Sequence, residues 1–129
     1  MKKFNFAKVN DGEDVASIEE VEKFLHRMKE KIRFFGIIYR DDRGKNMQTL
    51  ATLEITPMFR DKVILKLGVE DYSEGPLIDS LNNFGELWVF GKDVKNNEVY
   101  IKISLDAGTN ALCISFHIAE YKMQFPYKN

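Results

Sequence analysis

At 129 residues and 44% hydrophobic content, the chain has apolar material for one core and no length for two, so a single domain over 1–129 is expected. Its 30% charged residues, net charge of -1 and isoelectric point near 6.1 exclude a strongly basic nucleic-acid binder on global charge, leaving contact to local patches. One cysteine, Cys113, excludes an internal disulfide framework, and no apolar run approaches the ~20 residues of a membrane span, so a cytoplasmic location is expected.

In chain order, the N-terminal segment 1–16 is basic at Lys2 and Lys3 and lacks an apolar stretch long enough for a signal peptide. Ser17 followed by Glu20 forms a capping-box signature. Behind it Ile18, Val21, Leu25, Met28, Ile32 and Phe35 recur every three or four residues, which predicts a helix of about five turns ended by Gly36. Residues 36–39 read as a short extended piece at best, and 40–44 as a charged turn. A second helix is expected from 46 or 47 to 54, with Leu50 and Leu53 inward. Thr56-Pro57 is a cap followed by proline at the first helical position; the third helix it starts has Met58, Val63, Ile64 and Leu67 on its buried face and stops at Gly68.

Residues 69–79 are acidic and contain Gly75-Pro76, which reads as a loop crossing from the helices to the sheet. Its carboxylates Glu70, Asp71, Glu74 and Asp79 lack the ligand spacing and central glycine of a calcium loop, so no metal is expected there. Residues 86–90, 97–105 and 111–118 read as three successive antiparallel strands. The middle one alternates, with Val99, Ile101, Ile103 and Leu105 on one face and Tyr100, Lys102 and Ser104 on the other. An α+β domain follows, its helices packed against Val99, Ile101, Ile103, Leu112, Ile114 and Phe116 on one face of a small antiparallel sheet. Cys113 reads as core. The tail 119–129 carries Tyr121, Phe125 and Tyr127 and is expected to act as a clasp that buries the last two.

Glycine-rich phosphate loops and Gly-x-Ser-x-Gly do not occur, which removes nucleotide-dependent and hydrolase-type chemistry, and no cofactor is expected. Two histidines and one cysteine make a zinc site within one chain unlikely to assemble. His26 lies in a charged helical stretch and reads as solvated, and Cys113 and His117 on one strand are ~13 Å apart, beyond hydrogen-bond reach. What remains is Tyr100, His117, Lys92 and Lys102 on or near one sheet, with Trp88 or Phe90 as an exposed aromatic. Such a set can cleave RNA without a metal: a base takes the 2′-hydroxyl proton, cations steady the phosphate, and an acid protonates the leaving oxygen. Histidine suits either proton role near neutral pH. On spacing alone, a solvated strand face with His117 bonded to a neighbouring backbone group fits as well. Lys29, Lys31, Arg33, Arg40, Arg43 and Lys45 could track an RNA backbone or form a solvated face.

The order of features from Ser17 to His117 resembles the MqsR family of bacterial toxins, messenger-RNA endonucleases with a RelE-like fold. The resemblance rests on the third helix ending in Leu67-Gly68, the Asp71-Tyr72 loop and the strand opening at Trp88. It rests above all on Glu98-Val99-Tyr100-Ile101-Lys102-Ile103 and on the last strand, Cys113-Ile114-Ser115-Phe116-His117. It implies a toxin-like endoribonuclease acting on mRNA and a protein antitoxin as partner. The family's catalytic tyrosine falls on Tyr100 and its terminal-strand lysine on His117. Another lysine falls near Glu74, reversing the charge, and a glutamine falls at Val89 or Phe90, with Lys92 the nearest polar substitute. Tyr100 and His117 would then handle protons while Lys92 and Lys102 hold phosphate. A non-catalytic binding module of the same fold with a decayed site is the alternative.

Overall fold

The computed structural model describes residues 15–41, 44–79 and 82–129. Ser17 starts α1 (Ile18–Phe35): its Oγ accepts from the Glu20 amide at 3.1 Å and its own amide donates to Glu20 Oε1 at 2.8 Å, which completes the box. Gly36, at φ +86°, ends the helix in a conformation that a side chain would strain. Val21, Leu25 and Met28 are buried as expected, while Ile18 and Phe35 at the helix ends stay exposed. Phe24 joins the buried face instead, stacked on Trp88 with ring centroids 4.5 Å apart and on Phe90 at 5.8 Å. Both aromatics expected on the surface are therefore core residues.

After α1 comes β1 (Ile37–Tyr39), then α2 (Lys45–Leu53), with Leu50 and Leu53 buried. Thr56 Oγ1 accepts from the Phe59 amide at 3.0 Å and caps α3 (Pro57–Leu65), whose Val63 and Ile64 are buried, as is Leu67 just beyond it. Met58 is 69% exposed, contrary to expectation; Arg60, at 3%, takes the buried place in this part of the helix. The acidic stretch is not a loop. Val69–Asp71 forms one 3-10 turn and Tyr72–Asp79 forms β2, an edge strand where the proline costs no ladder bond. The rest is β3 (Gly85–Val94), β4 (Asn97–Ser104) and β5 (Ala111–Ile118).

The strand order is β1-β5-β4-β3-β2, with β1 parallel to β5 and the other pairs antiparallel, so the α+β sheet is mixed rather than purely antiparallel. One face packs on the helices through Trp88, Phe90, Val99, Ile101, Ile103 and Phe116. Strict alternation fails in β5. Ile103 pairs with Cys113 and Ile101 with Phe116, so β5 carries one extra residue and the phase flips. Ala111 and Cys113 are consequently buried, and the expected Leu112 and Ile114 are only half-buried. Asn46, 4% exposed, holds the bulge: its amide donates to the Ile114 carbonyl at 3.3 Å and the Arg40 carbonyl at 2.9 Å, and accepts from the Phe116 amide at 2.9 Å. A side chain thus serves β5 where β1 has ended.

The tail crosses the opposite face of the sheet. Ala119 donates to the Glu98 carbonyl at 2.8 Å, Met123 to Glu98 Oε1 at 3.1 Å, and the Ser73 hydroxyl to the Gln124 carbonyl at 2.7 Å. A Cβ on Gly91 would stand 2.7 Å from Phe125 and 2.8 Å from the Met123 sulfur, so glycine there admits the tail. Tyr127 stacks on Tyr72 at 6.0 Å and donates to the Ala16 carbonyl at 2.5 Å. Met123 is the buried anchor, with Phe125 and Tyr127 half-buried. Deleting the residues after Ile118 should lower stability by about 2 kcal/mol, the burial of three side chains less the cost of ordering the segment. Thermal melting checks this, and an unchanged midpoint would remove the clasp. No helix among the described residues is long and apolar enough to cross a membrane.

Candidate functional site

Two rows of side chains cross the sheet face away from the helices. In the first, Gly91, Tyr100 and His117 are register partners on β3, β4 and β5; in the second, Glu74, Val89, Lys102 and Ser115 run from β2 to β5. The strand period of two puts both rows on the face opposite Val99, Ile101 and Ile103. Tyr100 and His117 meet as expected: their rings lie 13° from parallel with centroids 5.2 Å apart. Lys102 Nζ lies 5.7 Å from the centre of the Tyr100 ring. Tyr100, Lys102 and His117 are therefore one cluster on a rigid sheet.

Lys92 does not belong to it. Its register partner is the buried Val99, so it points to the helix side, where Nζ pairs with Asp71 Oδ2 at 3.1 Å. That carboxylate, 4% exposed, also accepts from the Gly68 amide at 2.9 Å. The structure thus gives Lys92 a structural task, neutralising a buried acid at the turn into β2. On β3, Val89 faces the cluster and Phe90 faces the core.

The cluster has hollows on both flanks. Toward β5 and α2, Arg40, Lys45, Asn46, Ser115 and His117 line a cleft of about 170 Å³. Toward β2 and the tail, Ser73, Glu74, Tyr100, Tyr121 and Lys122 line another of about 190 Å³. Of the basic residues between the first helices, Arg40 and Lys45 line the first of these clefts, with Lys45 paired to Glu120. Lys31 is used elsewhere, donating to the carbonyls of Leu105 at 2.5 Å and Gly108 at 2.8 Å, and Arg43 lies outside the described residues. His26 is solvated and pairs with Glu30 at 3.4 Å.

Local surroundings differ between Tyr100 and His117. Burial, with the Glu74 carboxylate and Tyr121 adding to it, pushes the Tyr100 phenol well above its usual range, so Tyr100 keeps its proton at neutral pH. His117 Nδ1 lies 3.0 Å from the Ile118 carbonyl oxygen, which can only accept. Nδ1 therefore carries the hydrogen, and in the neutral ring Nε2 is the basic nitrogen. Glu120 pairs with Lys45 at 2.5 Å, and this hydrogen bond and charge hold its carboxyl below the ordinary range. Among the described residues no group of three or more His, Cys, Asp or Glu side chains is placed to hold a metal ion.

Sequence reasoning missed Asn46, and Arg40 as a cleft residue, because both bear on β5 through a bulge that no spacing reveals. Tyr121, which the sequence offered only on condition that the tail lay beside the sheet face, lines the hollow with Tyr100 because Gly91 lets the tail cross. No protein-family model, curated protein or solved structure matches the chain.

Proposed function

We propose that the protein is a toxin-like, metal-independent endoribonuclease that cleaves mRNA and is neutralised by a protein antitoxin, of the RelE-like MqsR type. The observation that carries this reading is the in-register pair of Tyr100 and His117, with Lys102 beside it and a cleft bearing Arg40 and Lys45 next to the histidine. In the proposed reaction, His117 Nε2 removes the 2′-hydroxyl proton as that oxygen attacks the adjacent phosphorus. Lys102 and the cleft cations hold the phosphate oxygens as negative charge builds. The Tyr100 phenol donates to the 5′ oxygen as its bond to phosphorus breaks, leaving a 2′,3′-cyclic phosphate and a free 5′-hydroxyl.

Induced expression tests it in the cell. The wild type should arrest growth and shorten message lifetimes, and Tyr100→Phe and His117→Ala, accumulating to the same level, should not. Arrest by all three alike would detach toxicity from these residues. A second reading has its own observation: Glu74 sits on the same face as Tyr100 and adds negative charge beside it. A binding module with a decayed site would leave growth and messages unchanged while still binding RNA or a partner protein.

A further inference from the structure

On the helix side, away from Tyr100 and His117, α3 and the end of β3 enclose a second kind of surface. Phe59, Val63 and Val94 form the apolar part of a cleft of about 190 Å³. Val63 and Val94 are core residues that reach it from below, and Phe59 is 43% exposed at its wall. Four lysines line it, Lys62 from α3, Lys66 at the C-cap of that helix, Lys92 from β3 and Lys95 just beyond it, with one acid, Asp93. In a chain with a net charge of -1, such a local excess is a concentrated feature.

The lysines differ in what they already do. Lys92 is occupied by Asp71. Lys95 donates to the Glu54 carbonyl at 3.1 Å, a contact that fixes its ammonium beside the cleft without neutralising it. Lys62, in the last turn of α3, and Lys66, at its C-cap, are exposed and line the same cleft as Lys95. The cleft thus joins exposed cations to apolar side chains in one lining.

We propose that this cleft binds an acidic peptide segment of a partner protein, with one apolar side chain on the floor of Phe59, Val63 and Val94 and carboxylates on either side held by Lys62, Lys66 and Lys95. Charge complementarity selects the class. A nucleic-acid backbone needs a track of phosphate contacts and gains little from a recessed apolar floor. Aliphatic side chains flanked by carboxylates use both parts, the floor for affinity and the ammonium groups for orientation and encounter. The proposal stands apart from the nuclease reading, since it uses none of the residues of that site.

The test is a titration of the isotopically labelled full chain, followed by amide chemical shifts. The probe is a short synthetic peptide with one leucine flanked by glutamates. Shifts should be confined to residues 59–66 and 92–95. Replacing the probe's leucine by alanine should weaken binding about tenfold, and so should Lys62→Gln with Lys66→Gln, two exposed positions whose neutral variants keep the chain folded, as its unperturbed spectrum away from the cleft would verify. No binding by the leucine probe, shifts elsewhere, or equal affinity of the Lys62→Gln, Lys66→Gln chain would overturn the proposal. So would tighter binding of a short 2′-O-methyl RNA in the same cleft.

Discussion

Arg60→Ala should lower the unfolding free energy by about 3 kcal/mol and the melting midpoint by roughly 10 °C. Its side chain is 4% exposed, and its two terminal nitrogens each lie 3.2 Å from an oxygen of Asp41. The guanidinium carbon lies 3.3 Å from the centre of the Tyr39 ring, whose hydroxyl donates to Asp61 at 2.5 Å. One cation therefore ties α3 to β1 and to the turn that follows. Truncation removes the stacking, opens a cavity and strips Asp41 of its partner. The loss falls at the low end of the range for breaking a buried pair because Asp41 is 28% exposed and can recover water. Arg60 Nε finds no hydrogen-bond partner among the described residues, an unpaid desolvation that already reduces the net worth of the pair. Arg60→Met, which keeps the stem's packing, should cost clearly less than alanine. Equal losses would show that packing contributes nothing, and no loss in either would dismiss the tie.

His117→Ala should reduce RNA cleavage by about 10²–10⁴-fold, the usual worth of a positioned general base. The imidazole is set on two sides, by the Tyr100 ring in parallel and by the Ile118 carbonyl at Nδ1, so Nε2 needs no reorganisation to act. Tyr100→Phe should cost about 10–100-fold, since the phenyl ring preserves the stack and loses only the donor. Because burial and Glu74 raise the Tyr100 phenol, it holds its proton through the neutral and mildly alkaline range. Wild type and Tyr100→Phe should then show parallel rate profiles below about pH 9, offset by a constant factor. A profile whose shape changed in that window would assign Tyr100 the base role instead. Glu74→Gln should leave the fold intact and raise the rate, since it removes negative charge from the face that receives phosphate in the proposed reaction.

Local signals in the sequence found α1 and α3 well, because the Ser17–Glu20 box and Thr56-Pro57 act within a few residues. The alternation of Val99 to Lys102 placed Tyr100 on the face away from the helices for the same reason, and the partnership with His117 followed from two adjacent strands. Pairings at long range were not visible. Tyr72–Asp79 looked like a loop because its carboxylates and Gly75-Pro76 hide the alternation, yet Tyr72 is a core residue that stacks on Tyr127 and packs near Trp88. An edge strand tolerates that composition, since only one side of it must pair. Lys92 seemed to belong with Lys102, ten residues away in sequence and one strand away in space; an odd register step put it on the other face. The extra residue in β5 has no local mark, and it alone decides that Cys113 rather than Ile114 enters the core.

The most direct measurement is the end chemistry of RNA after incubation with the purified wild-type chain in excess chelator. Fragments ending in 2′,3′-cyclic phosphate, with no cut where the 2′-hydroxyl at the scissile position is replaced by hydrogen, are the expected result for Tyr100 and His117 acting on the phosphate with Lys102. Intact RNA from a folded chain would contradict an endoribonuclease at this site.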